Sequence, residues 1–202
     1  MIELLIRTLC DPLPDLPADG AYLFGQTADN QQSVFETGAD LVNRQRARRL
    51  LIPDSAPQCG YPGFRVWRQA LGGFGLGESD IVGVSTASLP GLNTLTEAEA
   101  LVRHARAEGM ARIFVVAPPF HQLRAFITTV SVVLREFPGL RVYNRVGVAL
   151  PWDDTVVHSQ GVLQCTRGEL IHSEIARIER YRRKGDLVSQ DEVFAYLQSR
   201  DR

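Results

Sequence analysis

A chain of 202 residues that is 45% hydrophobic can bury one sizeable core, and its length predicts one domain. Acids and bases nearly cancel at a formal net charge of -1, so no global basic field draws the chain to nucleic acid or an anionic membrane, and any anion site has to be local. Three scattered thiols, Cys10, Cys59 and Cys165, make no CxxC pair, which argues against a disulfide framework or a zinc cluster and fits a reducing, cytoplasmic setting.

The opening MIELLIRTLC has an acid at position 3 and only a short apolar run, so it is not read as a signal peptide. No uncharged apolar run reaches about 18 residues, and no membrane-spanning helix is expected. Residues 1–20, ending in the Pro- and Asp-rich DPLPDLPADG, form a lead segment. AYLF from Ala21 reads as a short buried strand closed by Gly25. Gln26 then opens a polar stretch before a helix from about Ser33 to Gln45. RLLI from Arg49 is a second strand, followed by a helix from about Phe64 to Leu71 that stops at the glycines of GGFGLG. DIVGVS from Asp80 is the third strand, and TASLPGLN loops into a helix from about Thr94 to Glu108. ARIFVVAP is the fourth strand, HQLRAFITTVSVVLREF the next helix and LRVYNRVGVAL the fifth strand. Residues 151–202 read as a helical extension of the same domain, carrying two charged amphipathic segments, RGELIHSEIARIERYRRKGD and SQDEVFAYLQSRD.

Continuously apolar strands separated by crossover helices imply a mainly parallel sheet of about five strands covered on both faces, a three-layer α/β fold. In such sheets ligands bind beyond the carboxyl ends of the strands, where helix N-termini offer unpaired N–H groups. APPFHQLRA is one such junction: Pro118 and Pro119 end the strand and stiffen the turn, and His121 and Arg124, three apart, share a face of the helix that follows. Cations placed there oppose the helix dipole and need a compensating partner. LNTLTEAEA is the second junction. Asn93 or Thr94 is a natural N-cap, and Thr94 with Glu97 has capping-box spacing. The TASLPG loop is expected to bring the two helix starts together.

A strand ending at Gly25, an Asn-Thr helix start at Asn93 and Thr94, and a strand followed by His121, Arg124 and Ala125 together resemble the YdcF/SanA/ElyC family, over roughly Ala21 to Gly147. The resemblance implies a Rossmann-like fold and a bacterial protein. Anchored members of that family are linked to envelope polymer biogenesis, and the soluble YdcF type is reported to bind S-adenosylmethionine. The chain is similar to the soluble type. It departs from the family pattern at Ala117 and Pro118, where hydroxyl residues usually precede the histidine, and at Glu97, one position later than the family's acid.

Other groups carry weaker signals. GGFGLG follows a helix rather than a strand and so lacks the context of a dinucleotide fingerprint. Asp54 lies where a nucleotide-binding fold puts a ribose-binding acid. In LPWDD, Trp152 is placed to stack on a flat ring and Asp153 to act as a base or ribose contact. NRQRARR and RYRRKG read as solvated basic surface. His104, His158 and His172 have no metal-ligand spacing, and neither a GxSxG elbow nor a Walker loop occurs. Two functions remain. One is a module binding a small anionic or nucleotide-like ligand through Gly25, Gln26, Asn93, Thr94, His121, Arg124, Trp152 and Asp153. The other is an enzyme on a phosphorylated or envelope-precursor substrate, with His121 as acid/base and Glu97 or Asp153 as the partner carboxylate.

Overall fold

The computed structural model describes residues 1–87, 91–158 and 163–202. The five apolar runs become β1 (Gly20–Leu23), β2 (Leu50–Asp54), β3 (Ile81–Ser85), β4 (Arg112–Ala117) and β5 (Arg141–Val146), all parallel, in the order β3-β2-β1-β4-β5. The chain first builds outward from β1 in one direction and then returns to β1's other side with β4. The topological switch point of the sheet therefore lies between β1 and β4.

Side chains alternate along each strand and divide the core in two. Ala21, Leu23, Leu50, Ile52, Phe114 and Val116 point to one face, covered by α2 (Gln31–Asn43) and α3 (Phe64–Gly72). Tyr22, Phe24, Leu51, Ile113 and Val115 point to the other face. That face is covered by α1 (Ile2–Leu9), α4 (Thr94–Ala107), α5 (Pro119–Glu136), α6 (Arg167–Lys184) and α7 (Gln190–Arg200). The result is the three-layer α/β architecture that the strand pattern predicts, and it is Rossmann-like.

Helix α5 is the central post of the larger layer, lying against the sheet and touching α1, α4, α6 and α7. Every residue from Phe120 to Val133 is consequently buried. Its polar members are satisfied locally: Thr128, Thr129 and Ser131 each donate a hydroxyl hydrogen bond of 2.7–2.8 Å to the carbonyl four residues back. Gln122 repairs the ladder that Pro118 and Pro119 interrupt. Its amide oxygen accepts from the Ala117 N–H at 2.7 Å, and its nitrogen donates to Val115 O at 3.1 Å and Asn144 Oδ1 at 2.9 Å.

Two regions of the chain differ from the expectation. The lead segment is not featureless, because Ile2–Leu9 forms a helix, and Asp11 behind it meets Arg200 of α7 in a buried pair at 2.6 Å. The tail is not only helical: β6 (Thr155–His158) and β7 (Leu163–Thr166) form an antiparallel hairpin before α6. Its strands are four residues each, too short for a period-two pattern to stand out from loop sequence. GGFGLG does end a helix, with Gly73 as the C-cap of α3. Among the described residues no helix is long and apolar enough to cross a membrane.

Candidate functional site

The carboxyl ends of β1 to β4 open onto a cleft of about 450 Å³. Gly25, Gln26 and Thr27 contribute from the loop after β1, Cys59 and Tyr61 from the loop after β2, and Leu92 to Thr94 with Glu97 from the start of α4. His121 and Arg124 enter from α5, His158 and Leu163 from the hairpin, and Arg177, Arg180 and Tyr181 from α6. Seven of the sequence-selected residues thus line one cavity: Gly25, Gln26, Asn93, Thr94, Glu97, His121 and Arg124.

Trp152 and Asp153 lie elsewhere. After β5 the backbone is tied to α2, with the Val148 N–H donating to Ser33 O at 2.9 Å and the Ser33 hydroxyl to Val148 O at 2.7 Å. This carries the following residues away from the cleft. Trp152 borders a small separate crevice with Asn30, Pro118 and Pro119, and Asp153 is an exposed turn residue. Asp54 is exposed at the end of β2 and does not line the cleft. Of the TASLPG loop, residues 88–90 lie outside the described residues.

The start of α4 is capped differently from the expected pairing of Thr94 with Glu97. Asn93 is the N-cap; its Oδ1 accepts from Leu95 N at 3.0 Å and Thr96 N at 3.1 Å, while the Asn93 N–H donates to Thr96 Oγ1 at 2.9 Å. Glu97 is thereby released for another task. Its Oε2 accepts from the Gly25 N–H at 2.7 Å and the Tyr22 hydroxyl at 3.1 Å, tying α4 to the end of β1. Burial outweighs these bonds and the nearby Arg124 charge, and pushes the Glu97 carboxyl up to about 8. At neutral pH it is mostly the uncharged acid.

His121 is buried between two partners. Gln26 Nε2 donates to Phe24 O at 3.2 Å, and because a carbonyl can only accept, this bond fixes the Gln26 amide. The same nitrogen lies 3.4 Å from His121 Nδ1, which is then the acceptor, so the ring proton sits on Nε2 and is donated to Thr94 Oγ1 at 3.1 Å. Burial, with the Arg124 charge adding to it, holds the His121 pKa well below the usual histidine range, and the ring is neutral. Thr94 Oγ1 also accepts from Arg124 Nη1 at 2.6 Å. With both lone pairs filled, its hydroxyl proton has no protein acceptor among the described residues and remains a donor for the cleft.

Arg124 has the compensating partner that its place near a helix start demands: Glu174 of α6. The Arg124 Nε donates to Glu174 Oε2 and Nη2 to Oε1, a two-pronged contact buried on both sides. Glu174 Oε1 also receives Arg177 Nη1 at 3.1 Å and lies 3.3 Å from His158 Nε2. Burial acts to raise the Glu174 pKa, but the Arg124 charge and the His158 hydrogen bond prevail and hold it far below the ordinary carboxylate range.

Sequence reasoning missed Glu174, His158, Arg177, Arg180 and Tyr61. One signal for Glu174 was present: it falls between Leu170 and Ile178 at four-residue spacing, an acid in the middle of the buried stripe of α6. The structure also revises how an anion would be held. Pro118 and Pro119 have no N–H, and the His121 and Gln122 amides return to Pro118 O. In α4 the Leu95 and Thr96 amides are taken by Asn93. The row of free amides expected at the two helix starts is therefore largely spent, and charge recognition falls to side chains. Among the described residues no group of three or more His, Cys, Asp or Glu side chains is arranged to hold a metal ion. Among known proteins, no family model and no curated relative matches the chain.

Proposed function

We propose that the protein binds a small anionic or nucleotide-like molecule, a phosphorylated metabolite or a compound of the S-adenosylmethionine type, in the cleft at the carboxyl edge of the sheet. The observation that carries this reading is convergence. Loops from β1, β2, β3 and β4, the hairpin and α6 all meet at the switch point around one cavity of about 450 Å³, within the range of small-molecule sites. Its wall holds groups already oriented by protein contacts: the Thr94 hydroxyl, the Glu97 carboxyl and the Arg124 guanidinium. The YdcF-like sequence features point to the same residues.

An enzymatic alternative acts on a phosphorylated or envelope-precursor substrate with His121 as acid/base. It draws support from the opposed shifts of Glu97, raised, and His121, lowered, which give the lining of one cleft both an uncharged acid and an uncharged base at pH 7. Both His121 ring nitrogens are engaged, however, by Gln26 and Thr94. Proton abstraction by His121 thus requires one of these partners to let go, and pure binding requires no rearrangement.

A thermal-shift screen with nucleotides, S-adenosylmethionine, sugar phosphates and polyprenyl phosphates tests the first reading by linkage. At least one compound is expected to raise the melting temperature, and His121→Ala or Thr94→Val to cancel that rise; shifts indifferent to both substitutions would move the site elsewhere. Incubating the hit with protein and following it by NMR separates binding from turnover.

A further inference from the structure

We propose that Arg177 and Arg180 of α6 form an outer phosphate subsite at the rim of the cleft, and that the ligand places a dianionic phosphate group there. This rests on the reading of the cleft as a small-molecule site, and narrows its ligand to a phosphate ester rather than a sulfonium compound.

Charge balance is the first support. Among the described residues three guanidiniums line the cleft, those of Arg124, Arg177 and Arg180, and Glu97 is the one acidic lining residue. Glu174, just behind the wall, is the carboxylate that both Arg124 and Arg177 contact. One carboxylate against three guanidiniums leaves two positive charges uncompensated, and the raised pKa of Glu97 keeps that residue from offsetting either at neutral pH. Arg180 makes no ion pair among the described residues, and Arg177 makes one, to Glu174. In a chain whose total charge is -1, the lining of this cleft thus carries a local positive surplus. A phosphomonoester dianion matches that surplus; the cationic sulfonium of S-adenosylmethionine adds to it.

Preorganisation is the second. Residues 174, 177 and 180 or 181 are three or four apart and share one helix face. Arg177 is anchored through Nη1 to Glu174 at 3.1 Å, leaving Nε and Nη2 as a fork for a partner. Arg180 lies over the Tyr181 ring, 4.9 Å from its centroid, and donates to the Tyr181 hydroxyl at 3.2 Å, while Tyr181 itself packs against the core. Two guanidiniums held this way donate to the tetrahedral oxygens of a phosphate at little entropic cost. The third support is the largely spent floor: the amides of Leu95, Thr96, His121, Gln122 and Gly25 are already committed, so the rim arginines carry much of the unused donor capacity in the cleft.

The test is calorimetric titration of the full chain, at low ionic strength, with inorganic phosphate, AMP, adenosine, glucose 6-phosphate, glucose and S-adenosylmethionine. At least one phosphate ester is expected to bind about tenfold or more tighter than its unphosphorylated counterpart, and Arg177→Gln/Arg180→Gln to erase that difference. Exposed Arg180→Gln alone is expected to reduce it by about threefold without changing the unliganded melting temperature, which guards against a folding artefact. Arg103→Gln, on an exposed face outside the cleft, serves as the control and is expected to bind as the unaltered chain does. Phosphate preference that survives in the double variant overturns the subsite, as does an unaltered chain that binds esters and their unphosphorylated counterparts equally. Binding of adenosine or S-adenosylmethionine that depends on His121 but not on Arg177 and Arg180 overturns the subsite and keeps the cleft. A panel in which nothing binds overturns both.

Discussion

Glu97 shows how one displaced side chain changes the chemistry of a site. A capping glutamate at a helix start is solvated and ionised; here Asn93 and Thr96 take over the cap, and Glu97 is buried against Tyr22 and Gly25. With its carboxyl raised from 4.5 to about 8, the folded chain keeps a proton that the unfolded chain releases, so stability falls as pH rises between those values. His121 and His104, whose pKa values are both depressed by burial, act with the opposite sign below about 6.5, where the unfolded chain binds protons that the folded one refuses. Above about pH 7, where those histidines are mostly neutral in both states, the window up to about 8 is dominated by Glu97. Urea denaturation across it is expected to show stability declining by up to about 1.4 kcal/mol per pH unit, and Glu97→Gln to flatten that decline. At this scale the sequence was informative where residues sit at strand-to-helix junctions, as Gly25, Asn93, Thr94, His121 and Arg124 do. It was silent on Arg177 and put Arg180, within RYRRKG, on solvated surface, because arginines on a charged helix look alike until the fold turns that helix toward a cleft.

Among the elements, α6 links the C-terminal part of the chain to the α5 post. Its buried residues are Arg167, Leu170, Glu174 and Ile178, and Glu174, between the two apolar ones, engages Arg124 across the helix interface. Removing one member of a buried pair leaves the other uncompensated, so Glu174→Ala is expected to cost about 3–5 kcal/mol by urea denaturation. A smaller cost, under about 1 kcal/mol, would mean that water reaches Arg124 freely. At the start of α4, Asn93→Ala removes the acceptor for two amides and is expected to cost about 1 kcal/mol in the same measurement. The five parallel strands were legible because buried strands read as continuous apolar runs, whereas β6 and β7 were not, being short and only half covered. α1 was passed over because its apolar run is brief and prolines follow it closely.

At the scale of the whole molecule, segments distant in sequence are joined by buried polar contacts. Asp11 receives Arg200 through both guanidinium branches, at 2.6 and 2.8 Å, and also the Asn144 N–H at 2.7 Å, so the strand β5, the segment after α1 and the helix α7 meet at one carboxylate. Asp11→Ala is expected to cost about 3–5 kcal/mol, detected as a lower urea midpoint, while leaving ligand binding in the distant cleft unchanged. The β6–β7 hairpin is held differently. Its apolar anchorage is a small cluster around Phe120, Val156 and Leu170, supplemented by the Thr27 hydroxyl on Val157 O and the Asp29 carboxylate on the Val157 N–H. With so little apolar area behind it, this ribbon is expected to open well below the free energy of global unfolding, and its amides to exchange with deuterium long before those of β4. Since His158 and Leu163 at its two strands form one bank of the cleft, each opening of that bank also loosens the wall against which a guest would rest.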